Sequence, residues 1–299
     1  MSKKLVAHIL LFFVAVIYGA NYLVAKGLMP DLIGPSGFIF IRVSAATILF
    51  WIVYLLSYEK IDRKDLARIA LCGLTGVATN QLFFFNGLNA TSPVNASIIM
   101  TSNPILVLVV SAIILKTRIT SRKLAGIFLG AAGAIVLLLL QGSAKISWQG
   151  DVMILINALS YGVYLVLVKP LMAKYKPVTV ITWVFTMGLI LVAPVGFDQF
   201  TAVDWSSFTS SHWLGVFYVV ICTTFLVYLM NIYALKTVQP TVVSVYIYLQ
   251  PLLAGIFAYI FASFGGEDYT GDINWQRILC ALAIFVGVYL VSVPARGQR

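Results

Sequence analysis

Polar side chains recur at helical spacing inside the long apolar runs of this sequence. Ser97 and Thr101 lie one helical turn apart in one run, and Ser244 and Tyr248 repeat that spacing in a later one. Further polar positions lie in these runs and four others: Tyr18, Asn21, Asn80, Gln81, Asn103, Asn157, Tyr161, Tyr164, Tyr228, Asn231 and Gln250. Within a membrane such groups must face protein or water, so we predict that six helices surround a substrate-binding cavity. Hydrogen bonding between helices is the alternative use of the same side chains.

The chemistry available to this set is hydrogen bonding by amides and phenols, combined with aromatic faces. Such groups bind uncharged or zwitterionic molecules and present rings to apolar or cationic parts. We therefore expect a site for amino acids or similar small metabolites. The sequence offers no catalytic constellation and no metal spacing, and its two histidines, His8 and His212, lie far apart. We accordingly predict no catalytic residue, no metal and no cofactor, and an enzyme is the disfavoured interpretation.

One segment of the sequence occurs twice. PVNASIIMTSNP at 93–104 is matched 147 positions later by PTVVSVYIYLQP at 240–251. Pro104 and Pro251 each lie near the centre of an apolar run, where a proline frees the carbonyl four residues earlier, on Met100 or Ile247. Hydrocarbon tolerates a free carbonyl only where protein or water covers it. Matching interrupted helices are typical of transporter binding sites, so we predict a helix break or gate at both prolines.

Three cationic residues lie in or beside the apolar runs. Lys26 ends YGANYLVAK and Lys169 ends YGVYLVLVK, a second repeated motif at an offset of 143 residues, and this equivalence makes both candidates for gating. Arg42 lies about two turns into the second run, where it could bind a substrate carboxylate or take part in gating. Long cationic side chains near helix ends commonly extend to the membrane surface, and we expect that of all three.

Carboxylates, in contrast, are confined to loops and span edges. The ten acidic residues are Asp31, Glu59, Asp62, Asp65, Asp151, Asp198, Asp204, Glu267, Asp268 and Asp272. A membrane-embedded carboxylate is the usual relay for protons or sodium. Because the sequence has none, facilitated diffusion or exchange is as consistent with it as ion-coupled transport.

Composition places these residues in a membrane protein. Hydrophobic residues make up 61% of the chain and charged residues 10%, against about 25% charged in soluble domains. Apolar runs predict ten spans: 5–28, 35–57, 67–89, 93–115, 122–141, 150–172, 178–196, 213–235, 240–263 and 275–293. At about 20 residues per span, only short loops remain and no separate catalytic domain fits. The net charge of +10 reflects loop lysines and arginines, and we expect no nucleic-acid partner.

The distribution of positive charge gives the orientation. Sixteen Lys and Arg residues fall on one side of the predicted spans and three on the other, so both termini are expected in the cytoplasm. The repeated motifs divide the chain into five-span halves, 1–143 and 144–299. Because five is odd, the second half must enter the membrane upside down. The predicted fold is therefore an all-α polytopic membrane protein with ten transmembrane helices, arranged as two inverted five-helix repeats around a central cavity, a geometry that permits alternating access.

Several motifs together resemble the EamA family of the drug/metabolite transporter superfamily. They are YGANYLVAK, IRVSAA at 41–46, GLTGVATNQLFFFNGLNATSPVNASIIMTSNP at 73–104, AGIFLGAAGAIVLL at 125–138, GDVMILINALSYGVYLV at 150–166 and YALKTVQPTVVSVYIYLQP at 233–251. The resemblance implies ten helices in two inverted repeats, a central cavity, and export of amino acids or other metabolites across the bacterial inner membrane. One departure is Lys116-Thr117-Arg118, where such proteins usually carry an acid after the fourth helix, whereas Glu267 keeps the second-half equivalent.

The sequence therefore favours a secondary transporter whose partners are a small-molecule substrate and the lipid bilayer. A lipid-handling, scramblase-like protein is the alternative, and it would require a polar groove open to the bilayer. Gly126 and Gly130 form a GxxxG motif, which more often marks close helix packing than a dimer surface. We expect a monomer or a weak dimer.

Overall fold

The fold consists of helical rods connected by short loops. The computed structural model describes residues 2–29, 31–90, 96, 99–114, 116, 120–139 and 148–263, with isolated positions between 275 and 290. Within these ranges the backbone forms nine helical rods and no strand, and seven rods are long and apolar enough to cross a membrane. The protein is therefore an all-helical polytopic membrane protein, as predicted. The tenth predicted span, 275–293, falls outside the described residues apart from the isolated positions.

The rods begin and end close to the ends of the predicted spans, because the same apolar runs, bounded by polar residues, determine the predicted and the observed boundaries. They are α1 (Lys3–Leu28), α2 (Pro35–Leu55), α3 (Arg63–Ala90), α4 (Met100–Ile114), α5 (Ser121–Leu139), α6 (Trp148–Lys174), α7 (Pro177–Thr201), α8 (Ser210–Thr237) and α9 (Pro240–Val245, Tyr246–Leu249 and Gln250–Ser263). Three of them start with a proline, Pro35, Pro177 and Pro240. Proline suits the first turn of a helix because backbone N–H groups there have no partner within the helix, so the absence of an N–H loses no hydrogen bond.

Four rods depart from regular α-helix. α3 contains a π-helical segment, Leu74–Ala78, and α8 contains another, Tyr218–Leu226. α4 contains a 3-10 turn, Met100–Ser102, and α9 has one at Tyr246–Leu249. The two π segments correspond at the repeat offset of 147 residues, because 74–78 becomes 221–225, inside the π segment of α8. The two 3-10 turns correspond in the same way, because 100–102 becomes 247–249, inside the turn of α9. The 3-10 turns come directly before the two central prolines, at the predicted helix breaks.

The interior is built by a few extended helix contacts. α2 packs against α7 along much of its length, α1 packs against α8 and α9, and α6 packs against α3 and α4. Phe50 of α2 lies between Phe185 of α7 and Phe225 of α8, with ring centroids 4.9 and 4.8 Å away. Gly76 of α3 meets the Tyr164 ring of α6 so closely that an added methyl group would overlap the ring. These contacts hold α3, α6 and α8 around the region described next.

Two lysines cap the C-terminal ends of α3 and α8. Lys26 Nζ donates to the carbonyl oxygen of Leu88 at 3.1 Å and to that of the next residue at 3.4 Å. Lys169 Nζ donates to the carbonyl oxygens of Leu235 and Val238, the latter at 2.8 Å. The last carbonyls of a helix lack internal partners, and a cation there is favourable because the helix C-terminus is negative. Both lysines are half-buried and reach carbonyls at helix ends, and their extension to the membrane surface stays a prediction.

We predict that Lys26→Met and Lys169→Met each lower the thermal stability of the detergent-purified protein. Methionine keeps the length of the side chain but leaves two helix-end carbonyls without a charged donor, and we expect a melting temperature lower by about 2–8 °C. Lys174→Met is the matched control, because the 2.5 Å pair of Lys174 with Asp65 is exposed and such pairs contribute little. Equal shifts in all three variants would contradict the capping role.

Candidate functional site

A cavity lies between seven of the nine rods. The centre of a water-sized sphere can occupy about 60 Å³ of it, and the empty space is about 540 Å³ when the open solvent at its mouth is included. Every one of the six helices predicted to line a cavity contributes, and α2 contributes through Arg42. The lining residues are Tyr18, Asn21, Tyr22, Arg42, Asn80, Gln81, Phe84, Phe85, Met100, Asn157, Tyr161, Tyr228, Ile247 and Gln250. The walls combine phenols and amides with aromatic and aliphatic surface.

Most of the predicted substrate-binding residues lie in this lining: Tyr18, Asn21, Asn80, Gln81, Asn157, Tyr161, Tyr228 and Gln250. Met100 and Ile247 line it as well, and these are the residues whose carbonyls the central prolines were predicted to free. Sequence reasoning did not single out Phe84 and Phe85. An aromatic residue inside an apolar run gives no signal that separates a cavity wall from a lipid-facing surface.

Other predicted residues are buried but do not line the cavity. They are Thr101, Asn103, Tyr164, Asn231, Ser244 and Tyr248, while Ser97 lies outside the described part of the chain. Asn103 Nδ2 donates to the Ala158 carbonyl at 2.5 Å, and the Tyr248 hydroxyl donates to the Ile127 carbonyl at 3.1 Å. Asn231 Nδ2 likewise donates to the Tyr161 hydroxyl at 3.2 Å, so for these three residues the structure favours the alternative given above, hydrogen bonding between helices. Ser244 instead donates to the Thr241 carbonyl of its own helix at 3.1 Å, and the Tyr164 hydroxyl has no hydrogen-bond partner among the described residues.

A hydrogen-bond network centred on Tyr228 forms one wall. The Tyr228 hydroxyl donates to the Gly76 carbonyl at 2.9 Å, lies 3.3 Å from Asn80 Oδ1, and accepts from Gln81 Nε2 at 3.2 Å. Gly76 belongs to the π segment of α3. A π segment shifts the regular hydrogen-bond pattern of a helix, which leaves its carbonyls available to outside donors. Gln81 and Tyr228 are themselves 147 positions apart, so the matching helices α3 and α8 meet here.

Two amide side chains of the lining residues hold their acceptor oxygens in fixed positions. Asn157 Nδ2 donates to the Asn80 carbonyl at 2.6 Å, and Gln81 Nε2 donates to Tyr228 as above. Because a backbone carbonyl can only accept, the Asn157 atom that faces it must be the NH₂ nitrogen. The Tyr228 hydroxyl donates its hydrogen to the Gly76 carbonyl and so accepts from Gln81, which means that the Gln81 atom facing it must also be the NH₂ nitrogen. Asn157 Oδ1 and Gln81 Oε1 are left buried, without a hydrogen-bond partner among the described residues.

Arg42 is buried in the same wall. Its side chain is 2% exposed, so the expectation that Arg42 extends to the membrane surface is wrong. Nε donates to Thr224 Oγ1 at 2.9 Å, and the guanidinium carbon lies 4.4 Å from the centroid of the Phe85 ring. Nη1 is buried and has no hydrogen-bond partner within the described ranges. Thr224 lies in the π segment of α8, and its hydroxyl donates a hydrogen bond to the Val219 carbonyl at 2.7 Å. The hydroxyl oxygen therefore accepts the hydrogen bond from Arg42.

The cavity is also connected to the interrupted helix α9. The Tyr22 hydroxyl donates to Gln250 Oε1 at 3.0 Å, directly after the 3-10 turn and before Pro251. The Tyr22 ring packs edge-on against Phe84, with centroids 5.7 Å apart. Tyr22 therefore links α1 both to α9, next to its 3-10 turn, and to α3.

Comparisons with known proteins agree with this picture. A model of the EamA-like transporter family matches residues 5–139 and again residues 148–293. An uncharacterized transporter of Archaeoglobus fulgidus is 27% identical over 98% of both chains. A probable terminal-alkyne amino-acid exporter of Streptantibioticus cattleyicolor is 29% identical over 51% of this chain and 52% of its own. A solved crystal structure has the same fold, with a TM-score of 0.73, 17% identity and coverage of 95% of both chains.

We predict that the cavity admits water-soluble thiol reagents. In a background with Cys72, Cys222 and Cys280 replaced, Ile247→Cys places a thiol in the lining, whereas Ile232→Cys places one at a fully buried position outside it. A charged methanethiosulfonate reagent should modify the cysteine at 247 several-fold faster, as measured by mass spectrometry. Equal rates at the two positions would contradict a water-filled cavity.

Proposed function

The chain belongs to the EamA-like transporter family, and from that membership we propose that it is a secondary transporter that exports small metabolites such as amino acids by alternating access. The observation that carries the proposal is the cavity shared by seven helices, whose lining combines amides, phenols and one buried arginine. A polar site between interrupted helices is the usual location of a substrate in such transporters.

The architecture we propose is ten helices in two inverted five-helix repeats, 1–143 and 144–299. Three observations support it. The family model matches the two parts of the chain separately. The π and 3-10 segments recur at an offset of 147 residues. In a twofold arrangement α1, α3 and α4 of the first half are equivalent to α6, α8 and α9 of the second half. The contacts of α1 with α8 and α9 then correspond to the contacts of α6 with α3 and α4, as observed.

Alternating access would use the irregular turns as hinges. Short 3-10 and π segments inside helices commonly mark functional hinges, because their hydrogen bonds are more easily rearranged. Lys26 and Lys169 hold the helix ends that precede α4 and α9, and in inverted repeats these ends lie at opposite membrane faces. The two lysines would thus secure equivalent hairpins, one at each end of the transport path.

The lining also supports a polar, zwitterionic cargo. Amide oxygens accept from an ammonium group, and aromatic rings accommodate apolar parts. Amino-acid export, specifically, is suggested by the name of the Streptantibioticus cattleyicolor relative, which aligns with this chain over about half of its length. None of the fourteen described lining residues is acidic, which favours exchange or facilitated diffusion over coupling through a carboxylate.

The proposed location is the bacterial inner membrane, with both termini in the cytoplasm. The sixteen-to-three distribution of Lys and Arg across the predicted loops supports this orientation. The apolar helices support a chain that crosses a membrane several times.

A scramblase-like activity is the second candidate, and one surface feature favours it. A depression of about 1830 Å³, its opening included, lies between α1, α8 and α9. Lys26, Asp31 and His212 contribute polar groups to it, and Phe257 and Phe261 contribute apolar surface. A lipid has the matching combination of a polar head and an apolar tail.

Reconstituted protein should distinguish the two candidates. We predict saturable, protein-dependent flux of radiolabelled apolar L-amino acids in proteoliposomes, with no acceleration of lipid flipping by a fluorescent phospholipid assay. Protein-free vesicles are the control. Rapid flipping without saturable amino-acid flux would refute the transporter proposal and favour the scramblase.

Two tyrosines with similar burial provide a matched test of the cavity. Tyr228 and Tyr248 are 3% and 0% exposed, and each donates its hydroxyl to a backbone carbonyl, yet only Tyr228 lines the cavity. Each Tyr→Phe change should destabilise the protein by about 1–3 kcal/mol, because a buried carbonyl loses its donor. Only Tyr228→Phe should also change the apparent KM for flux. An unchanged KM in Tyr228→Phe, or an equal change in both variants, would place the substrate elsewhere.

A further inference from the structure

Arg42 is a buried charge with no ion-pair partner among the described residues. It is the one charged side chain among the described lining residues, and its guanidinium group contacts a threonine hydroxyl and an aromatic ring. A charge removed from water is costly unless it is paired and fully hydrogen-bonded. The contacts of Arg42 are neutral, and Nη1 remains without a partner in the part of the chain that the structure describes. An ionisable residue in this position inside a membrane protein marks a functional site by default.

We propose that the transported molecule supplies the missing countercharge, and that Arg42 binds its carboxylate group through Nη1. The inference rests on the proposed transport function and specifies the substrate class of the same cavity. Arginine suits this role because it stays charged and its planar donors match carboxylate geometry. The bond from Nε to Thr224 and the stacking on Phe85 fix the plane of the guanidinium group. Arg42 is therefore held in place before the substrate arrives.

The rest of the lining defines the other end of the molecule. Gln81 Oε1 and Asn157 Oδ1 are fixed acceptors with no described partner, and they suit an ammonium group. A second carboxylate would meet these oxygens unfavourably, and a diamine would meet Arg42 unfavourably. Phe84 and Met100 add apolar surface for a side chain. The class that satisfies all of these groups is a monocarboxylate that carries one amine and an apolar side chain.

The test compares each amino acid with its own carboxamide, which keeps the amine and the side chain but removes the negative charge. The full-length protein is reconstituted in vesicles, and unlabelled L-leucine, L-methionine and L-phenylalanine compete with the radiolabelled amino acid against their amides. Wild-type protein should prefer the acid over the amide by about 10–100-fold, the size of a charge-assisted hydrogen bond. Arg42→Gln should lose most of this preference through weaker binding of the acid, while binding of the amide changes little.

Controls separate the charge from its geometry and from general damage. Arg42→Lys keeps the charge without the planar fork and should keep part of the preference. Arg68→Gln makes the same chemical change at an exposed position of α3 and should behave as wild type. Size-exclusion chromatography and thermal unfolding show whether each variant is folded.

The outcomes are distinguishable. Saturable flux in which wild-type protein accepts the amide as well as the acid overturns the role of Arg42, and so does an Arg42→Gln variant with the wild-type preference. If Arg42→Gln does not fold, the acid-to-amide ratio of the wild type and of Arg42→Lys decides in the same way. Folded wild-type protein that transports none of the labelled amino acids overturns the proposed function itself, and this inference with it.

Discussion

The cost of leaving a backbone polar group without a partner inside a membrane governs this structure more than any single packing contact. In hydrocarbon, a backbone group without a partner costs several kcal/mol, so a membrane helix can be irregular only where protein or water compensates. The π segment of α3 meets this condition directly, because Ser160 donates to the Thr75 carbonyl at 2.5 Å and Tyr228 donates to the Gly76 carbonyl. The irregular backbone thereby becomes a set of attachment points for α6 and α8, and those helices carry Asn157 and Tyr228 to the cavity.

The same requirement explains why the charges are located where they are. Lys26 and Lys169 are used at helix ends, where unpaired carbonyls give each ammonium group several acceptors. Arg42 instead enters the cavity wall and finds a threonine made available by the π segment of α8. The two lysines are half-exposed and hydrogen-bonded to helix ends, whereas the arginine is buried and its Nη1 has no partner among the described residues. That contrast separates the charges with a structural role from the one proposed to contact substrate.

Much of the helix layout could be predicted because it depends on local composition. Apolar runs locate the rods, and the repeated proline motif locates the 3-10 turns at Met100 and Tyr246. The site was harder, because helical periodicity shows that Tyr228 and Tyr248 each lie on a polar face but does not show which neighbouring helix that face meets. One meets the cavity and the other meets Ile127. The burial of Arg42 was missed for the same reason, since Thr224 is 182 positions away in the sequence.

The charge balance of the cavity also bears on the transport cycle. In alternating access the site must pass through a state closed to both sides, in which the cavity groups are cut off from water. On the proposed assignment, the empty cavity would carry the unpaired Arg42 through that state, whereas the loaded cavity would carry a neutralised pair. A ligand shifts a conformational equilibrium only by its differential affinity for the two states. A substrate carboxylate that binds Arg42 most strongly when water is excluded would therefore favour passage of the loaded transporter over the empty one. Exchange of one carboxylate-bearing substrate for another follows from this asymmetry, without any membrane-embedded acid to carry protons.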